Sequence, residues 1–276
     1  HYEIARTCLE RDLHIMLEKP MVLQATHARE LTELAHERQC QLIVGYPWHY
    51  TPHTLRAREV LHAGDLGQIR FINSVFASMV IKFYRGDDSS YGSVFDYPVV
   101  GPGDVYSDPV RSGGGQGHLQ VTHSAALMFF ITGLKPLQVS ALMDNMDVKV
   151  DVIDAMAVRM DNGALATVGS TGTIASGGTD QLQTRVFCDK GWIDLDSLQG
   201  TLRICHADGS IEEVTPLQSE QIYPMHMTSV NLVQVIRGEA ENGSPPEVGW
   251  RTVEMLDAAY RSVQQGGQLV EVASLY

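Results

Sequence analysis

The chain has 276 residues, and 44% of them are apolar, so a sizeable buried core can form. Its formal charge of −13 argues against the basic face that a nucleic acid or an anionic membrane selects for. Apolar runs such as 125–131 fall far short of the roughly 18 residues that suggest a membrane helix.

Residues 1–10 read as an amphipathic helix already under way, with Ile4, Ala5, Cys8 and Leu9 on one face. A chain seldom begins inside such a helix, and the expectation is a fragment. The four cysteines, Cys8, Cys40, Cys188 and Cys205, are widely spaced with no CxxC. They read as free thiols in a reducing, cytoplasmic compartment.

Residues 13–17 predict a short strand, 25–38 a helix with Ala28, Leu31, Leu34 and Ala35 inward, and 41–45 a second apolar strand. This order of helix, strand, helix and strand suggests a parallel sheet covered on both faces. Thr51-Pro52 caps a helix that runs to about His62, and Gly64 is a good terminator.

From Gln68 the texture changes. Ile69, Phe71, Asn73 and Val75 alternate as in a strand, and so do Val148, Val150 and Val152. Further strands are expected at 155–160, 164–171, 181–188, 191–195 and 201–206. Asp161-Asn162-Gly163 and Asp208-Gly209 are hairpin signals among them. The expectation is a mostly antiparallel sheet. Residues 82–115 read as a long irregular excursion, of a kind that is usually functional or mobile. Helices follow at about 116–132, 226–237 and 249–265. The last has a buried stripe of Val253, Leu256, Ala259, Tyr260 and Val263.

Two segments could carry chemistry. Glu18-Lys19-Pro20 lies past the carboxyl end of a parallel strand, the edge where open α/β sheets bind ligands. A lysine there can hydrogen-bond a substrate hydroxyl; the plainer reading is a surface Glu-Lys pair before a turn. The second segment is Gly113-Gly114-Gly115 leading to His123. Glycines let the backbone approach a ligand or another chain closely. At about 100° per residue, Gln116, Gln120 and His123 fall within roughly 60° of one another, and His118 points elsewhere. The plainer reading of His123 is a hydrogen-bonded core histidine. Trp48 and His49 follow the second parallel strand, again at the ligand edge; Trp48 also reads as interdomain packing. His49 and His53 lack a third ligand, so no metal site is expected. No GxSxG, P-loop or GxGxxG is present.

These residues resemble the Gfo/Idh/MocA oxidoreductases. Glu18-Lys19-Pro20 is similar to that family's EKP motif. Gly45-Tyr46 with Tyr50-Thr51-Pro52 resembles its strand end and the helix entry of its second domain. The triple glycine leading to His123 resembles its GGG…DxxxH segment, and 247–266 resembles its closing helix. The resemblance implies a partial dinucleotide-binding domain over 1–47. A substrate and oligomerisation domain with a large antiparallel sheet would occupy 48–276.

It also implies a cofactor, NAD or NADP, and a small sugar, polyol or cyclitol substrate. With the GxGxxG turn missing, the chain as it stands is expected to bind the cofactor poorly. Lys19 and His123 match the catalytic lysine and histidine, and a cis bond is expected between Lys19 and Pro20. Glu18, Lys19, Pro20 and Trp48 would bind cofactor, and His49, Gln116 and Gln120 would bind substrate. The motif's aspartate falls on Leu119, which cannot ionise. A homodimer or homotetramer through the large sheet is implied. The alternatives are a non-catalytic binding or regulatory relative and an NAD-using glycosidase or dehydratase.

Overall fold

A computed structural model describes residues 1–87, 105–175 and 177–276. Helix α1 (Tyr2–Leu9) leads into strand β1 (Ile15–Leu17), helix α2 (Ala25–Glu37) and strand β2 (Leu42–Val44). β1 and β2 pair in parallel, as expected from two short apolar strands separated by a helix. Ile4 does not join the buried face expected of α1. It is exposed, and Ala5 and Leu9 are the buried positions.

Helix α3 (Pro52–Ala63) begins where its cap signal placed it. Thr51 Oγ1 accepts from the Thr54 amide, and Gly64 closes the helix in the left-handed conformation. Strand β3 (Ile69–Ala77) and the short helices α4 (Ile81–Tyr84) and α5 (Pro109–Ser112) follow. Residues 88–104 of the expected irregular excursion lie outside the described residues. A π-helical turn, Gly117–Val121, leads into helix α6 (Thr122–Thr132), which is buried along its whole length.

Seven strands come next: β4 (Pro136–Asp144), β5 (Ile153–Met160), β6 (Leu165–Thr171), β7 (Gln181–Cys188), β8 (Trp192–Asp196), β9 (Thr201–Cys205) and β10 (Ile211–Val214). Helices α7 (Ser219–Ile222), α8 (Met227–Ile236) and α9 (Pro246–Gln264) and strand β11 (Val270–Glu271) follow, and a 3-10 turn, Val272–Leu275, comes after them.

The large sheet has the order β10-β9-β8-β7-β3-β6-β5-β4-β11. Among the described residues, only the β3–β6 pair in it is parallel. Its covered face carries Ile72 and Phe76 of β3, Met156 and Val158 of β5, and Leu182 and Val186 of β7. Helices α3, α6 and α9 lie against the sheet. Ile69, Phe71, Asn73 and Val75 alternate as expected, but they are the less buried positions of β3. A register shift between Ile69 and Phe71 adds to this.

Val148, Val150 and Val152 are not in a strand. They form a connection in which Val150 and Val152 join Val80, Phe83 and Tyr84 in a small separate core. The last helix closes the molecule: α9 touches α2 and β2 of the first unit as well as β4 and α6. Ser244 binds the small sheet twice, its carbonyl accepting from the Val44 amide and its hydroxyl donating to the Val44 carbonyl.

Candidate active site

The site starts at the carboxyl end of β1. Gly45, just past β2, donates its amide to the Leu17 carbonyl and fixes where the chain leaves the sheet. The Glu18 carboxylate then crosses over Gly45, where a Cβ would stand 3.2 Å from Glu18 Oε2. The Lys19-Pro20 peptide is cis. Lys19 turns inward, and its Nζ donates to the Leu119 carbonyl at 2.8 Å. Desolvation around this amine lowers its pKa to about 8, against the pull of Glu18. A lysine with that pKa exchanges protons readily near neutral pH.

Opposite Lys19 stands the glycine-rich segment, and its glycines serve the protein rather than an open approach. A Cβ on Gly114 would lie 2.1 Å from the Tyr260 hydroxyl, and one on Gly115 would lie 2.1 Å from the Asp151 carbonyl. Asp151 is buried and clamps the turn. It accepts the Gly115 amide at 2.7 Å, the Gly117 amide at 2.7 Å and the Tyr260 hydroxyl at 2.9 Å. A carboxylate that takes the first free amides of a helix acts as an N-terminal cap and complements the helix dipole.

Within this clamp the backbone takes the wider π turn, which changes the angular spacing of its side chains. The common face expected from 100° per residue therefore does not form. Gln116 points into the sheet domain, where its Oε1 accepts from Tyr84 and its Nε2 donates to Ser170. Both ends of that amide are spent inside the protein. His118, expected to point elsewhere, lines the cavity shared with Lys19.

His123 lies among aromatic rings, with Trp48 at 4.9 Å, Tyr46 at 6.0 Å and Phe76 at 6.3 Å. Burial, together with the charges of Lys19 and His49, holds its pKa well below the ordinary value. An imidazole held this way is a poor proton acceptor near neutral pH. His49 stacks flat on Phe130 at 4.2 Å. Its Nδ1 lies 3.1 Å from Ser244 Oγ, whose own proton goes to Val44, so His49 is the donor of that pair. Burial lowers the His49 pKa to about 3.

A cavity of about 560 Å³ opens between these elements. It is lined by Glu18, Lys19, Pro20, Tyr106, Ser112, His118 and Leu119, among others. Three of the residues expected from the sequence, Glu18, Lys19 and Pro20, thus meet there. Gln116, Gln120, His49, Trp48 and His123 are not among the lining residues.

The family model described as the Gfo/Idh/MocA C-terminal domain matches residues 54–194, and the one described as an oxidoreductase family NAD-binding Rossmann fold matches residues 1–46. The chain belongs to the Gfo/Idh/MocA oxidoreductase family. An uncharacterized oxidoreductase of Synechocystis sp. is 36% identical over 72 residues, covering 26% of this chain and 19% of the relative. The 1-carboxy-3-chloro-3,4-dihydroxycyclohexa-1,5-diene dehydrogenase of Comamonas testosteroni is 22% identical over 83% of this chain and 51% of its own. The chain thus spans about half or less of these curated relatives. Among solved structures, the aldose-aldose oxidoreductase of Caulobacter crescentus, complexed with glycerol, superposes with a TM-score of 0.76 at 20% identity. That match covers 98% of this chain and 76% of the other.

For a Gfo/Idh/MocA chain, the departure at Leu119 removes an ionisable side chain, while the backbone carbonyl of the residue accepts from Lys19 Nζ. The sequence reading missed His118, Asp151 and the role of Tyr260 in the clamp. A signal for Asp151 existed, since Asp151 and Asp154 interrupt an apolar valine run.

Proposed function

We propose that the cavity is the active site of an NAD- or NADP-dependent dehydrogenase acting on a ring hydroxyl or ketone of a sugar, cyclitol or similar polyol. Lys19 carries this reading: it is an amine with a pKa lowered to about 8 at the carboxyl end of a parallel strand, facing a cavity of substrate size. The lining residues suit a nicotinamide beside a hydroxylated substrate, with Pro20, Val22 and Leu23 as apolar surface and Glu18, Lys19, Gln24 and Ser112 as polar groups. The match of residues 1–46 to an NAD-binding fold supports the cofactor.

Glu18, Lys19 and Pro20 border the cofactor side. The bound nicotinamide supplies hydride chemistry. The protein's part is to hold the reactants and move the proton. In the oxidising direction neutral Lys19 takes the hydroxyl proton on Nζ. In the reducing direction its ammonium returns that proton to the carbonyl oxygen. His123 and Trp48 pack edge to face in an aromatic cluster with Phe76, and His49 braces α6 through Phe130. Gln116 anchors the turn to β6 through Ser170, and Gln120 lies outside the cavity lining. The substrate class has support from the Comamonas and Caulobacter relatives, whose names specify a dihydroxy ring compound and aldoses.

The test is a panel of sugars and cyclitols scanned for nicotinamide reduction in the full-length protein, with Lys19→Met as the control. Turnover that survives Lys19→Met removes the assignment. A cofactor- or sugar-binding protein without turnover is the second reading, favoured by Leu119 in the motif's acidic position. It predicts ligand binding with no reduced nicotinamide formed. The barer face of the large sheet, where Phe71, Leu142 and Leu165 are exposed, suits pairing with a second copy as a homodimer or homotetramer. Light scattering on the purified protein decides that point.

A further inference from the structure

The cavity holds a second buried polar group that the reading above leaves idle. His118 is 5% exposed and lines the cavity beside Leu119, whose carbonyl receives Lys19 Nζ. Its ring stacks on Tyr260 at 4.7 Å with an interplanar angle of 25°. Tyr260 is in turn fixed by its hydrogen bond to Asp151, and Asp151 holds the amides on either side of Gln116. His118 is thus set by a π turn, a stacked ring and a carboxylate clamp, the kind of rigid support a binding group needs.

Its Nδ1 is buried with no hydrogen-bond partner. An uncharged imidazole has one N–H and one lone pair, and an orphaned buried N–H is rarer than an under-satisfied acceptor. The lone pair therefore belongs on Nδ1 and the proton on Nε2.

We propose that His118 is a substrate-binding residue that donates from Nε2–H to the reacting oxygen or its neighbouring hydroxyl, side by side with Lys19. This rests on the dehydrogenase reading of the same cavity. The protonation state agrees with it. Desolvation, with Lys19 opposing a second positive charge, lowers the His118 pKa to about 4 despite the attraction of Asp151 and Asp257. His118 therefore stays uncharged where Lys19 titrates. In the reducing direction the carbonyl carbon gains the cofactor's hydride, the C=O π pair becomes the new O–H bond, and the proton comes from Lys19. His118 keeps its own proton throughout and stabilises the charge growing on oxygen. A neutral imidazole does this without competing as an acid.

Two measurements test the assignment. Nitrogen-15 NMR of histidine-labelled protein, without ligand, should show His118 as the uncharged Nε2–H tautomer from about pH 8 down to about pH 6. A protonated ring or an Nδ1–H tautomer at pH 7 overturns it. With the polyol the wild type turns over, His118→Phe should lower kcat on the order of 100-fold, while the pH profile keeps its midpoint near that of Lys19. His118→Gln, which retains an N–H donor, should stay within about tenfold of wild type. Wild-type-like turnover in His118→Phe overturns the His118 role alone. A wild type that oxidises no member of the panel overturns the dehydrogenase reading itself.

Discussion

Replacing Asp151 by Ala tests the clamp that shapes the site. The carboxylate accepts from two buried backbone amides, Gly115 and Gly117, and from the Tyr260 hydroxyl. Each donor left without a partner costs about 1–3 kcal/mol, and water entering the space recovers part of that. Asp154, buried nearby, has its pKa raised by desolvation and by the Asp151 charge, so losing that charge returns a small benefit. The net expectation is a loss of about 3–6 kcal/mol, a large share of the stability of an ordinary domain. Urea unfolding followed by circular dichroism measures it. Asp151→Asn keeps one acceptor oxygen but turns an NH₂ group toward the remaining donors, so it should fall between wild type and Asp151→Ala. A loss below about 1 kcal/mol in Asp151→Ala would show that the glycine turn holds its shape unaided, and the argument for His118 placement would fall with it.

The other predictions concern charge and space. If neutral Lys19 is the proton acceptor, polyol oxidation should rise tenfold per pH unit below about 8 and level off above it; a flat profile from pH 6 to pH 9 refutes this. Because the folded pKa of about 8 lies below the unfolded value of 10.5, the unfolded chain binds more protons between them, so Lys19 makes stability rise with pH across that window. Discounted for partial exposure and for the lost bond to Leu119, Lys19→Met should stabilise the protein by about 1 kcal/mol at pH 7 while abolishing turnover, and a lower melting temperature contradicts it. Asp154 has the opposite linkage. Its raised pKa makes stability fall as pH rises from the unfolded value toward the folded one, so Asp154→Asn should raise the melting temperature at pH 7 and not at pH 4. Gly115→Ala should be worse than Gly114→Ala, because its Cβ meets the Asp151 backbone while that of Gly114 meets the tip of a side chain; equal melting temperatures would argue against that contact.

Much of the fold could be read locally. Thr51-Pro52 and Gly64 mark the two ends of α3 because capping is a matter of a few neighbouring residues. The two hairpin turns carry glycines with positive φ, Gly163 and Gly209, as their Asp-Gly and Asn-Gly signals require. The bounds of β7 fall at 181–188 as read. Strand β4 went unread because its side chains do not alternate cleanly: its burial is mixed, with Leu137 and Leu142 exposed. The valine alternation at 148–152 reflects two side chains joining the satellite core, a contact with 80–84 that no local pattern encodes. At the site, Lys19 was legible from its place after a strand. The face expected to be shared by Gln116, Gln120 and His123 did not form, since a single π turn breaks the assumed angle, and Asp151, which binds that turn, lies more than thirty residues away.

That distance explains how the site is built. Lys19 comes from the first unit, and its amine is held by a carbonyl of the π turn. The π turn is held by Asp151 from the connection before β5, and Asp151 is held by Tyr260 from α9. Helix α9 then returns to the first unit: its Asp257 carboxylate accepts the Ala25 amide at the start of α2. The four segments form a closed circuit of hydrogen bonds around one cavity. A circuit of this kind fixes the relative position of Lys19 and His118 only if every link is intact, so a break at Asp151 or Tyr260 should disturb the chemistry of Lys19 although neither residue is bonded to it. The low pKa of the amine depends on the same closure, because desolvation is its largest cause and an opened turn would admit water. Positioning and proton affinity at Lys19 are therefore two results of one packing arrangement.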